Sequence, residues 1–157
     1  MFKSGESYLI IEKNDEKVLS LFSSTLSGDK KGMVVWRVHP QKEKEYFKGK
    51  NVTTKWVTNI STKEDHLSPH DLEQLSYDIE CFMRNSFGGV ILLLCVEYLI
   101  SFNTFQDILH LVQTAHDFAA EYGCVLIVHV NEGTLDKQQE SLLKQELTLV
   151  GDINGKD

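Results

Sequence analysis

The segment that most constrains this chain is GGVILLLCVEYLI, residues 88–100. A strand with one face in water alternates apolar and polar residues, whereas a strand covered on both faces does not. The run from Val90 to Val96 does not alternate, and it predicts a central parallel strand buried on both sides. CVLIVHV, residues 124–130, has the same character. Two such strands demand helices on both faces of their sheet, and parallel neighbours demand long crossover connections.

The rest of the chain supplies both. SYLIIE (7–12), GMVVWRV (32–38) and TTKWVTNI (53–60) read as further strands, rich in β-branched and aromatic residues. Residues 15–27 place Val18, Leu19, Phe22 and Leu26 on one helical face. SPHDLEQLSYDIECFMRNS (68–86) predicts a helix with Ser68 as N-cap, Pro69 at the first helical position and Asp71 closing a capping box. Its apolar stripe is Leu72, Leu75, Ile79, Phe82 and Met83. Thr104 with Asp107 predicts a second capping box, for a helix that Gly123 stops. A third helix, 135–147, is capped by Asp136, and a short strand, TLVGDI, closes the chain. The pattern implies a single α/β domain over 1–157 with three layers, a central mostly parallel sheet flanked by helices, Rossmann-like or RecA-like. Residues 151–157 are expected to be a frayed tail. The charged stretch QKEKEYFKGK, 41–50, has no assigned structure.

Composition bounds function by exclusion. The net charge of −7 disfavours direct nucleic-acid binding. It is unevenly spread: residues 1–50 carry ten Lys or Arg against seven acids, and residues 51–157 carry six against sixteen. Cys81, Cys95 and Cys124 form no paired spacing and sit in apolar surroundings, which implies buried free thiols in a reducing compartment. No apolar run is long enough to span a bilayer, and the N-terminus lacks a signal-peptide pattern, so a cytoplasmic location without membrane insertion is expected. A phosphate loop needs a glycine-rich turn with Lys and Ser or Thr, yet the first strand is followed by KNDEK, which has no glycine and two acids. No dinucleotide fingerprint, serine elbow, HExxH or CxxC is present, and no cofactor is expected.

Ligands of parallel sheets sit beyond the carboxyl ends of the strands. Glu12, Arg37, His39, Glu97, His129 and Asn131 map there. The candidates for a ligand site or ion pair are Arg37, His39, Glu97 and His129. His39, His129 and Glu97 have the ligand types of a metal triad, though nothing in the sequence fixes their distances. Arg37 paired with Glu97 would instead relieve the cost of an acid beside a buried strand. A carboxylate where the strand emerges also has backbone donors within reach. Trp36 and Trp56 read as core. His110 and His116 read as surface or boundary residues of their helix. Phe87, Tyr98, Phe102 and Phe105 cluster around the central strand and its following loop, as core or as a protein-binding face.

Several stretches together resemble one uncharacterised archaeal family, the domain of unknown function numbered 835. They are WRVHP (36–40), KWVTN (55–59), SPHDLEQLSYDIECFM (68–83), VILLLCVEYLISFNTFQDILHLVQTAHD (90–117) and NEGTLDKQQESLLKQEL (131–147). The resemblance implies a cytoplasmic α/β domain, often joined to sensory or DNA-binding modules and similar to a RecA-like or KaiC-like core that has lost its phosphate loop. It brings no biochemical activity. Relatives carry an Asp-Gly pair before the Leu-Glu-Tyr-Leu segment, where this chain has Leu94 and Cys95. An acid there would hold water and magnesium in an ATPase, and its replacement by apolar residues implies distance from catalysis. The function expected is a non-enzymatic regulatory or interaction domain acting on a protein partner or a second copy of itself. The alternative is a small-anion-binding or weakly enzymatic domain that uses Arg37, His39 and Glu97 beyond the strand ends.

Overall fold

The computed structural model describes residues 2–151. Six strands form one sheet: β1 (Ser7–Ile11), β2 (Lys31–Trp36), β3 (Asn51–Trp56), β4 (Val90–Leu93), β5 (Val125–Val130) and β6 (Thr148–Leu149). Their order is β3-β2-β4-β5-β1-β6, and every pairing is parallel. The helices are α1 (Asp15–Ser24), α2 (Leu72–Arg84), α3 (Val96–Ile100), α4 (Phe105–Tyr122) and α5 (Lys137–Glu146). This is the three-layer α/β domain the apolar runs predict, of the Rossmann/RecA-like kind. Of the expected tail, only Gly151 lies within the described residues.

The sheet divides two apolar clusters by strand parity. Leu9, Met33, Val35, Ile91, Leu93, Leu126 and Val128 face α2 to α5. Tyr8, Ile10, Val34, Trp36, Leu92 and Ile127 face α1, the one α-helix on that side among the described residues, through Val18, Leu19 and Phe22. The 41–50 stretch completes that thinner layer. It makes a short 3₁₀ turn, Glu43–Glu45, and lays Phe47 5.5 Å from the Trp36 ring and 5.6 Å from Phe22. Trp36 and Trp56 are core, as expected.

The capping box of α4 forms as read and Gly123 ends that helix with φ 67°; Asp136 caps α5 as read, and Gln139 completes a box there that the sequence reading did not name. Four local expectations are corrected. α2 is capped by Asp71, whose carboxylate accepts from Gln74 N, and not by Ser68. Ser68 closes a turn by accepting from His70 N, and the Pro69 carbonyl is taken by Asn103 Nδ2 at 2.9 Å, so residues 68–70 stay outside the helix. The helix over 15–27 ends at Ser24, capped by Thr25. The third strand begins at Asn51 and stops at Trp56. The central strand stops at Leu93; Cys95 is the N-cap of α3, so Glu97 lies in the first turn of a helix.

Candidate functional site

The carboxyl ends of the strands are closed by α3. It is one turn and a half long, docked into the main core through Val96 and Leu99. Two adjacent residues on it reach in opposite directions. The Glu97 carboxylate accepts from the backbone N–H of Asn131 at 2.5 Å, just past β5, and from the Thr134 hydroxyl at 3.1 Å. The Tyr98 hydroxyl accepts from Asn59 N at 3.0 Å, beyond β3. The Arg37 guanidinium lies 3.7 Å from the centre of the Tyr98 ring and donates to the Val57 carbonyl at 2.8 Å. A cation over an aromatic face is attracted by the ring quadrupole. Asn103, after α3, ties Leu99 O to Pro69 O. α3 thus clasps the ends of β2, β3 and β5 with bonds made inside the chain.

The four sequence candidates do not meet. No ion pair joins Arg37 to Glu97 among the described residues; each has the partners just named. Of the two solutions open to Glu97, the backbone donor is the one realised. Accepting an N–H satisfies a carboxylate at a strand end without a second buried charge. His39 is half-buried, its ring 4.6 Å from Trp56 and its Nδ1 accepting from Gln41 N. His129 sits on the other face of the sheet. It is 1% exposed, and its Nε2 lies 2.8 Å from the Glu12 carbonyl oxygen. A carbonyl only accepts, so Nε2 carries a proton; Nδ1 is buried with no hydrogen-bond partner among the described residues and lies 4.0 Å from the Asp15 carboxylate. The His39, His129 and Glu97 triad is therefore not assembled, because strand parity turns His129 away. Among the described residues no three His, Cys, Asp or Glu side chains are grouped to hold a metal.

Cys95 lies fully buried beneath this clasp. Burial pushes its thiol up to about 12; the Arg37 charge works against that rise and the Glu97 charge adds to it. Cys124, also buried, is raised by burial as well, while Cys81 is only half-buried, contrary to expectation. Five of the surface recesses among the described residues, of about 260–450 Å³, have none of Arg37, His39, Glu97 or His129 in their linings. The aromatic cluster is also smaller than expected. Tyr98, Phe102 and His70 stack edge to face, but Phe87 precedes β4, at the other end of the sheet, and is 88% exposed.

Sequence reasoning missed the hub role of Tyr98 and the parts of Asn59 and Thr134. The one signal was Tyr98 beside Glu97 after an apolar run, which becomes informative only once that run is known to break at Leu93.

Fold and site together define a Rossmann/RecA-like α/β domain whose first strand-to-helix turn has no phosphate loop and whose strand ends are closed by its own α3. Residues 11–147 match the family described as "Protein of unknown function (DUF835)", and the chain belongs to that family. No curated protein matches the chain.

Proposed function

We propose that this chain is a non-enzymatic regulatory or interaction domain of an archaeal sensory or signalling system, cytoplasmic, acting on a protein partner or on a second copy of itself. The observation that supports this reading best is the occupancy of the strand ends. Where a parallel sheet keeps its ligands, Glu97 and Tyr98 bond to Asn131 and Asn59 of the same chain. The negative net charge speaks against nucleic acid as the partner, and no described helix is long and apolar enough to cross a membrane. A charge split between a basic first third and an acidic remainder suits steering of a protein partner.

The test is light scattering over a range of concentration and salt, with affinity capture from the source cell. The expected outcome is self-association or a retained partner, weaker at high salt. A strict monomer that retains nothing contradicts the proposal. One feature favours the second reading, a small-anion site: Arg37 is exposed and keeps guanidinium donors beyond the one given to Val57. Phosphate titration that shifts the Arg37 and Tyr98 resonances at millimolar concentration would support it over the first.

A further inference from the structure

Residues 41–50, between β2 and β3, pack against the indole of Trp36. Trp36 is 0% exposed, yet its Nε1–H has no hydrogen-bond partner among the described residues. The rings packed on the indole are those of Tyr46, in a T-shape at 5.1 Å, and Phe47, stacked at 5.5 Å. A buried N–H without an acceptor is costly, and water is the partner it lacks. The cover is itself strained. Phe47 has φ 55°, the one positive value outside glycine among the described residues, in a region where a Cβ crowds the following carbonyl. Both costs fall away when the cover lifts.

Little ties this segment down. Its backbone N–H groups bond within the segment or to its own base: Lys42 to His39 O, Glu43 to Pro40 O, Tyr46 to Glu43 O and Lys50 to Phe47 O. Among the described residues none bonds to the backbone of α1 or of the sheet. Two side-chain bonds reach outward, Glu43 accepting from the Thr54 hydroxyl and Lys50 Nζ donating to Leu26 O at 3.5 Å. Along α1 a groove of about 450 Å³ leaves the side unsealed, lined by Leu19, Ser20 and Ser23 on the helix and by Tyr46, Phe47 and Lys50 opposite. Pro40 stands at one end of the segment. At the other, Gly49 has φ 75° and nothing within 4 Å of where a Cβ would lie, and a glycine in open space is free to turn. Lys42, Lys44 and Lys48 are exposed, so they lose no hydration when the segment moves.

We infer that residues 41–50 are a strap that opens by itself, turning about Pro40 and Gly49 while the sheet and α1 stay folded, and that opening uncovers the Trp36 indole. The fold then carries an aromatic surface hidden at rest and displayed when the strap lifts. This goes beyond the interaction reading and does not depend on it. The experiment is hydrogen exchange on the isotope-labelled full chain, followed by NMR at several urea concentrations below the unfolding transition. The Trp36 Nε1–H, assigned with Trp56→Phe, should have a protection factor at least about a hundredfold below that of the Leu92 amide in β4. It should not change with urea, because a local opening exposes little surface. Phe47→Ala removes the ring and keeps the strained φ, so it should speed Nε1–H exchange about tenfold or more. Phe47→Gly removes the same ring but is at ease at that φ, so it should speed exchange less. Thr54→Val removes the tie to Glu43 and should speed it about threefold or more, which keeps the test decisive even if the Phe47 variants do not fold. The Leu92 and Phe22 amides should stay protected throughout. Equal protection and equal urea dependence at Nε1–H and Leu92 would mean that only global unfolding exposes the indole. Loss of protection at Phe22 together with Nε1–H would assign the opening to α1, and an Nε1–H indifferent to Phe47→Ala would detach it from the strap. Each of these results overturns the inference.

Discussion

At the carboxyl ends of β2, β3 and β5, the polar groups are spoken for: Glu97 holds Asn131 N, Tyr98 holds Asn59 N, and Arg37 lies on Tyr98 and bonds Val57. Along the outer edge of β3, Leu67 closes one end and the outward groups of Val52 and Thr54 have no backbone partner among the described residues. The place where an α/β domain keeps ligands is filled from within, while the place where a sheet accepts a strand is left open. The contrast turns attention from the crevice to the edge, and each of the following perturbations acts on one side of it.

The largest effect is expected beneath the clasp. Leu93 is 1% exposed and ends β4 directly under α3. Leu93→Ala should cost about 2–5 kcal/mol in denaturant unfolding, because it opens a cavity in a packed core. Replacing the clasp's polar groups should cost less. Glu97→Gln keeps an acceptor for Asn131 N but removes the charge, at about 0.5–2 kcal/mol, and Tyr98→Phe removes the acceptor of Asn59 N at about 0.5–1.5 kcal/mol. If Glu97→Gln proved costlier than Leu93→Ala, α3 would be held mainly by its acid and not by its packing.

The smallest effect, within the pH range where the protein is handled, comes from Cys95. Its thiol is raised from an ordinary 9.0 to about 12 by burial. The folded state therefore holds the proton more tightly than the unfolded one. Its contribution is intact below pH 9 and is lost as pH rises from 9 toward 12. Unfolding free energy measured from pH 8 to 10.5 should be flat at first and then fall, and Cys95→Ala should flatten the decline. At pH 8 Cys95 should resist alkylation until the chain unfolds, while the half-buried Cys81 reacts first.

Much of this architecture was legible in the residues. Val90 and its neighbours, with CVLIVHV, carry no polar alternation, and that absence defines a parallel sheet with helices on both faces. The caps at Thr104 and Asp136 are local chemistry and formed where they were read. The break at Leu93 was not legible, because VILLLCVEYLI stays apolar across the strand end and short apolar runs do not distinguish strand from helix. With that break went the role of Tyr98. The cap of α2 moved to Asp71 because Asn103, thirty-four residues away from Pro69, claims the Pro69 carbonyl. The open edge of β3 depends on strand order, a non-local property, and no local pattern in NVTTKW announces it.

Amide hydrogen exchange on the parent chain, dilute enough to be monomeric, tests the contrast in one experiment. The account predicts slow exchange at Asn131 and Asn59, whose N–H groups are held by Glu97 and Tyr98. It predicts fast exchange at Val52 and Thr54, close to that of an unstructured chain, beside slow exchange at Thr53 and Lys55, which face β2. Fast exchange at Asn131 would mean that α3 does not close the strand ends. Protection of Val52 and Thr54 in the monomer would mean that the edge is already covered, and either result would contradict the account.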